Sequence, residues 1–499
     1  MSDIVEDLKR IENIWNTNNP YIFIEQTWEK EEFEKIIQSS LFKTIFPEKE
    51  IDRKFRKLLK PFIFEKGEKK IYCKYNGIRF DGEKPTYIFS ALTEEMVDVD
   101  KAFFNEKSNV YSALDLIYKP YTYELSFDEE LTPEFFKDKK EDTWYEVKVK
   151  KYKEKEKDKI YGKISYGASP LDFLKIEVEW GKKVDPDVVG AINYPTQNDV
   201  EAYLKNQQVG IIDGWMDWLF EHNLKRDLVV CRVGQANAIL GINENSNEKR
   251  QFAFDIGLPN DDFIKLDATG GIDRKSTGLY DEDVLANFKP RVIFISHWHA
   301  DHYKGAFIMP RDTYIGNRAA MWIVPSYELS NKQYNANRLV GYLMKTGHIA
   351  FMEDGFSYDK NGVSLYRVKK GDPKDLNNDC ILLQLNKTLL PGDCHYDNWP
   401  ADYGKVKNGS SVSINKMENV TVSHHASGGS VTNLSEPKLK PLFNISEAIA
   451  YVCVGNNKWK HPNSNVLNMF KDTAHLGFQD VIRTDDDTRN KTDYLIIDL

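Results

Sequence analysis

Six residues constrain this chain more than any others. His297, Trp298, His299, Ala300, Asp301 and His302 follow directly on the run Arg291–Ser296, whose interior Val292, Ile293, Phe294 and Ile295 is wholly apolar. Such a run reads as a buried strand, and the polar cluster begins where that strand must end. Three of the ten histidines of the chain and one carboxylate fall inside this window. Imidazole nitrogens and carboxylate oxygens are the ligands that zinc, manganese and iron accept. Ligands at alternating positions off the end of a strand turn together around one point, so a rigid sheet fixes their geometry. The spacing predicts a metal site.

At 499 residues the chain is too long for one ordinary core, and two or more domains are expected. A net charge of −9 supplies no basic footprint for tight, non-specific nucleic-acid binding, although a local groove can be positive on an acidic protein. The five cysteines, Cys73, Cys231, Cys380, Cys394 and Cys453, are widely spaced and odd in number, which fits neither a disulfide framework nor a paired zinc-finger pattern. The amino terminus lacks the basic start and apolar core of a secretory signal, and no apolar run is long enough to cross a bilayer. The expectation is a soluble, cytoplasmic protein with no membrane partner.

Residues 1–225 carry no chemical motif. Ile4, Leu8, Ile11 and Trp15 recur at helical spacing, and 28–46 predicts a second helix. Strands are expected at 70–75 and 86–90. Two alternating runs between Trp144 and Ile164, around the charged stretch 151–159, read as a hairpin with a solvated tip. A lysine patch for phosphate backbones is the sharper alternative, but Glu154, Glu156 and Asp158 offset it. Ser169 and Pro170 mark a turn, and 172–180 alternates like a half-buried strand. The segment 198–224 looks helical, its aromatic end (Trp215, Trp218, Leu219, Phe220) packing on the segment after it. Together these predict an α+β accessory domain over 1–225. Its role is open between substrate selection, docking of a protein partner and autoinhibition.

Residues 226–499 carry the rest of the chemistry. The stretch 227–240 is a strand, a turn and a strand, with Gly234 allowing a tight bend and Asn237 a side-chain-capped turn. Another strand, 251–257, ends in Asp255. The runs 380–385 and 388–394 read as a hairpin that delivers Asp393, and 419–429 is a strand breaking into His424 and His425. Nothing resembles a Ser-His-Asp triad, a phosphate-binding Gly-rich loop or a dinucleotide fingerprint.

His-x-His-x-Asp-His after a hydrophobic strand, preceded by Val-Gly-Gln and Asp-Ile-Gly and followed by Gly-Asp and His-His, resembles the metallo-β-lactamase fold hydrolases. The resemblance implies an α+β class with an αββα sandwich over 226–499. It implies that His297 and His299 hold one divalent metal, that Asp301 and His302 hold a second, and that Asp393 bridges them. Asp255 would brace the histidine loop without ligating, as ring orientation requires. His424 is favoured as the last ligand, with His425 a neighbour or proton donor, but spacing alone does not separate them. Val233–Gln235, Asn377–Asp379, Leu389–Asp393, His424–Ser427 and the tail (Tyr451–Asn457, His461–Pro462, Arg483–Asp485) are similar to the hydrolase domain of ComEC-type DNA-internalisation proteins, from about Asp227 to the end. The channel-forming segments of those proteins are absent, so DNA uptake does not carry over.

Two departures stand out. The usual Gly-Asp-Ala after Val-Gly-Gln is Ala236-Asn237-Ala238 here, and the histidine that most of the superfamily places before the hairpin is replaced by Asn378 or Asp379. His348 lies too far upstream for that slot, and His395 and His461 are reserve candidates. The first metal position is therefore expected to be the poorer, with one or two ions (zinc or manganese) per chain. Asp301 is placed to orient or deprotonate the attacking water, with His425 as its catalytic companion. The implied function is a phosphodiesterase or nuclease acting on nucleic acid. The alternatives are a small-molecule hydrolase (lactone, thioester or cyclic nucleotide) and a non-catalytic, metal-stabilised binding protein.

Overall fold

The computed structural model describes residues 68–81, 84–94, 97, 123–128, 144–151, 160–166, 169–184, 197–220, 226–242, 251–259, 274–307, 309, 313, 319–326, 334–360, 362–368, 377, 379–404, 406–408, 411–413, 416–432, 435–457 and 459–498. The helices expected at 4–15 and 28–46, the charged stretch 152–159 and Asn378 lie outside them. The chain forms two compact units.

Among the described residues the first unit comprises a closed six-stranded barrel and the helix Tyr334–Thr346. Its strands are β1 (Glu68–Asp81), β2 (Lys84–Thr93), β3 (Tyr123–Asp128), β4 (Trp144–Lys151), β5 (Ile160–Tyr166) and β6 (Ser169–Val184), in the order β1-β2-β3-β5-β6-β4. Alternation does the sorting. Ile71, Cys73, Phe89, Ala91, Leu125, Phe127, Val147 and Val149 point inward, and Phe89, Phe127 and Tyr145 close around Trp180. Lys70, Lys148 and Lys150 stand outside and pair with Glu68, Glu94, Glu146 and Glu179. The expected hairpin between Trp144 and Ile164 does not form. β6 runs between β4 and β5 and bonds both, with Ile176 and Val178 opposite partners on each side. A 16-residue strand offers more ladder bonds to each neighbour than the two short strands offer one another.

The second unit opens with α1 (Gln197–Asn206) and α2 (Ile211–Leu219), ahead of the boundary expected at residue 225. The reason is burial: Ile212, Met216 and Leu219, at helical spacing on one face of α2, join the core of this unit. Gln207 donates to the Phe351 carbonyl and accepts from the Phe351 amide, so its side chain occupies a sheet edge as a strand would.

That core lies between two seven-stranded sheets. The strands are β7 (Arg226–Val230), β8 (Ala238–Ile242), β9 (Phe252–Ile256), β10 (Val292–Phe294), β11 (Met321–Pro325), β12 (Ile349–Met352), β13 (Ser357–Lys360), β14 (Val363–Arg367), β15 (Ile381–Leu385), β16 (Thr388–Leu390), β17 (Val406–Asn408), β18 (Ser411–Ser413), β19 (Asn419–Thr421), β20 (Ile449–Val452), β21 (Asp480–Arg483) and β22 (Leu495–Asp498). One sheet has the order β12-β11-β10-β9-β8-β7-β22 and the other β13-β14-β15-β16-β19-β20-β21, while β17 and β18 pair separately. β9 to β12 are parallel, as are β16, β19, β20 and β21.

Phe252, Phe254, Val292, Phe294 and Ile323 from the first sheet meet Leu365, Ile381, Leu383 and Tyr451 from the second. The alternate residues Leu382, Val420, Ala450 and Val452 face outward and are covered by α3 (Ser435–Leu439) and α4 (Ser464–Lys471). Burial on both faces explains why these strands read as continuous apolar runs. All five cysteines are buried. No helix among the described residues is long and apolar enough to span a membrane.

Candidate metal centre

Parallel strands bring their carboxyl ends to one rim, and the candidate residues sit there: Asp255 on β9, the 297–302 cluster after β10, Asp393 after β16 and the 424–425 pair after β19. The single helical turn Ala300–Tyr303 presents Asp301 and His302.

Asp255 organises the rim. It is fully buried and has left-handed backbone, φ +57°. Its Oδ1 accepts the Ser296 amide at 2.6 Å. Its Oδ2 accepts Ser296 Oγ, Asn237 Nδ2 and His302 Nδ1, each at 2.8 Å. The carboxylate thus fixes His302 with Nδ1 protonated and Nε2 turned to the pocket. Ser296 Oγ gives its proton to Asp255 and lies 3.1 Å from His297 Nδ1, so His297 too presents Nε2. The Ile381 amide donates to the Ser296 carbonyl at 2.7 Å, tying the end of β10 to β15 of the facing sheet. Gly392 sits against Ser296 with φ +56°, and a Cβ there would lie 2.5 Å from the serine hydroxyl. Glycine is what lets Asp393 enter the site.

The second histidine motif is held by strain and by bonds that offset it. His424, His425 and Ala426 all have positive φ, 50°, 53° and 60°, a conformation that costs about 1–2 kcal/mol per residue. Ser423 Oγ donates to the Cys394 carbonyl at 2.6 Å, and the amides of Ser427 and Asn463 cap the carbonyls of His424 and Ala426. His425 Nδ1 lies 2.7 Å from the Cys453 carbonyl. A carbonyl only accepts, so Nδ1 carries the proton and Nε2 is the free lone pair.

Two groups of ligand-range atoms result, His297–His299–Asp393 and Asp301–His302–His425, each with its atoms within 4.8 Å of one another. Asp393 joins them: its Oδ1 lies 3.2 Å from His302 Nε2 and 3.9 Å from His425 Nε2, and its Oδ2 lies 3.8 Å from His297 Nε2. The sequence reading preferred His424, yet these groups contain His425. His424 is 24% exposed and reaches Asp393 Oδ2 only at 3.9 Å, whereas His425 is buried with Nε2 3.4 Å from Asp301 Oδ2. Neighbouring residues of a strand face opposite ways, but the left-handed turn overrides that alternation and swings His425 inward.

The site fits a divalent cation on its own evidence. His302 Nε2 and His425 Nε2 are buried without a hydrogen-bond partner, an arrangement that is costly unless something else binds them. Two ligands of one tetrahedral ion, each about 2.0–2.1 Å from it, stand about 3.3 Å apart. The 3.2 Å and 3.4 Å separations of these nitrogens from carboxylate oxygens match that spacing.

The electrostatics follow from burial and mutual proximity. Burial works against protonated His302, but Asp393 and Asp255 outweigh it and hold its pKa well above that of a free imidazole. Burial likewise opposes His425, and Asp393 and Asp301 raise it. His297 has no such support: burial and the fields of His302 and His299 push it well down. Burial would raise Asp301, but the neighbouring His425 and the His302 field win and bring it to about 2. Asp393 is held well below the usual carboxylate range against its burial, by His302, His425 and His424.

Sequence reasoning missed Ser296, the Cys453 carbonyl and the full part of Asn237. Besides bonding Asp255, Asn237 donates its amide to the Asp301 carbonyl and accepts from the Gly257 amide, so the substitution at the Gly-Asp-Ala position ties three motifs together. Of the two residues expected in the slot of the missing histidine, Asp379 is ion-paired to buried Arg367, and the nearby Asn377 Nδ2 lies 3.5 Å from His424 Nδ1. The signal for Asn237 was present, since it follows a turn glycine between two strands. A serine ending a strand and a carbonyl carry none.

No protein-family model matches the sequence, and no curated protein matches it. Among solved structures, the diiron beta-hydroxylase CmlA from Streptomyces venezuelae is 10% identical over 64% of this chain and 67% of its own, with a TM-score of 0.31. A CmlA variant is 12% identical over 65% and 67%, and unliganded yeast PDE1 is 9% identical over 52% of this chain and 98% of its own, both with TM-scores of 0.31. At such distance the functional reading rests on the geometry of the site.

Proposed function

We propose that this chain is a metal-dependent hydrolase of the metallo-β-lactamase fold that cleaves phosphodiesters of nucleic acid, holding one or two zinc or manganese ions. One observation carries the reading: two groups of ligand-range atoms lie at a rim built from both sheets, Asp393 of the first standing 3.2 Å from His302 of the second, with two buried imidazole nitrogens left without a hydrogen-bond partner. A divalent cation in such a donor set lowers the pKa of its water to about 7 and stabilises developing negative charge on an oxyanion.

The remaining work belongs to side chains. Asp255 and the Cys453 carbonyl hold His302 and His425 in the tautomer that offers Nε2. Asp301, ionised down to about pH 2, presents a permanent carboxylate that would help hold the cation and orient its water. His424 borders the pocket from the exposed side. The choice of phosphodiester rests on the resemblance to the ComEC-type domain.

The test compares His425→Ala with His424→Ala, reading metal content per folded chain and cleavage of labelled single-stranded and duplex DNA with manganese or zinc. His425→Ala is expected to lose the ion and at least about 100-fold in rate, while His424→Ala keeps the ion. Metal retained in the first and lost in the second would reverse the ligand assignment. A metal-loaded wild type inert to every nucleic acid would sink the phosphodiester reading.

A further inference from the structure

Beside the metal centre, rings lead outward to the surface. The His424 and His461 centroids are 5.5 Å apart, and His461 stacks on Trp459 at 6.2 Å with 29° between planes. His424 also stacks on His395 at 6.1 Å and 15°. Trp459 is 49% exposed, one of three exposed large hydrophobic side chains among the described residues and the only aromatic one. The adjoining Lys460 is exposed as well.

The loop that displays them is built to hold still. Asn457 Nδ2 donates to Gln235 Oε1 at 3.0 Å, to the Gly455 carbonyl at 2.9 Å and to the His461 carbonyl at 2.8 Å, while its Oδ1 accepts the His461 amide at 2.9 Å. Gly455 packs so closely on the 234–235 turn that a Cβ would lie 2.6 Å from the Gln235 nitrogen. The Val-Gly-Gln turn and the Gly-Asn-Asn tail are therefore one support. An exposed indole on a rigid support spends little entropy when a flat partner covers it.

Resting on the phosphodiesterase reading, we propose that Trp459 and Lys460 form a subsite for one unpaired nucleotide of the substrate, the indole stacking on its base and the ammonium facing its phosphate. A π-face and a neighbouring cation are the two elements by which single strands are held without sequence readout. Burial, with the fields of His424 and His425, lowers His461 to about 4. The His461 ring stacks against the indole and so backs the platform. Paired bases are already stacked, so the subsite favours single strands or frayed ends.

The experiment uses the full chain loaded with manganese and measures binding by anisotropy of a labelled single-stranded oligonucleotide, separately from cleavage. Trp459→Ala is expected to weaken binding on the order of ten-fold and Trp459→Phe far less. Abasic oligonucleotide should bind wild type and Trp459→Ala alike. Lys460→Gln should reduce the slope of log affinity against log salt by about 0.7. If Trp459→Ala binds and cleaves like wild type, the subsite is wrong while the phosphodiesterase reading survives. If the wild type binds but never cleaves and Trp459→Ala binds ten-fold worse, the subsite stands without that reading. Wild type that neither binds nor cleaves overturns both.

Discussion

Replacing Asp255 by Asn isolates the brace beneath the metal ligands. The residue accepts four donors while fully buried, and Asn tolerates its positive φ better than other residues do. An amide offers one acceptor oxygen. Placed at the Oδ2 position it keeps three donors and turns its own N–H toward the Ser296 amide, leaving a buried donor unsatisfied at about 1–3 kcal/mol. The three retained bonds lose charge assistance, about 1 kcal/mol each, partly offset because no carboxylate is buried any longer. The expected loss of stability is about 3 kcal/mol. The expected loss of metal affinity is roughly 10–100-fold, because His302 Nδ1 no longer faces an anion that fixes Nε2 as the lone pair. Competition with a fluorescent chelator measures the affinity, and urea unfolding followed by far-UV circular dichroism measures the stability. Asp255→Asn binding manganese or zinc within about two-fold of wild type would refute the brace.

Two other groups give further expected outcomes. His461, lowered to about 4, binds fewer protons folded than unfolded between about pH 4 and the free-imidazole value near 6.5. Its contribution to stability is complete above about pH 6.5 and lost as pH falls to 4, so His461→Gln should flatten the unfolding free energy over that window, and the His461 ring should titrate near 4 by NMR. A midpoint near 6.5 would contradict the burial argument. Arg367, fully buried, holds Asp379 beside the site and also bonds the Val368 and Cys380 carbonyls at 3.2 Å. Arg367→Met should cost about 3–5 kcal/mol by leaving a buried carboxylate unpaired, and adding Asp379→Asn should recover a large part of it; denaturant titration decides, and no recovery would contradict the pairing.

Residues close in sequence spoke for themselves. The His297–His302 cluster was readable because its ligands hang from one strand end, and the strands of the second unit because their apolar runs are buried on both faces. The single helical segment expected at 198–224 forms as two helices, α1 and α2, and alternation found β6. The hairpin expected at 144–164 failed because adjacency along the chain favours local pairing only until a longer strand competes for both partners. Spacing alone left His424 and His425 unseparated, and the left-handed residues His424, His425 and Ala426 are what turn His425 inward.

Chemistry at short range is therefore determined by the sequence alone: which side chains are able to ligate, and that six residues deliver four of them to one place. Tertiary structure decided everything that depends on two sheets meeting. Asp393 and His425 stand roughly a hundred residues from the cluster and reach it only because parallel strands end at a common rim. The Cys453 carbonyl and Ser296 set the tautomers through contacts that no spacing encodes. The physical reason is that a hydrogen bond or a coordinate bond is specified by position in space, and the chain reports that position only after it has folded.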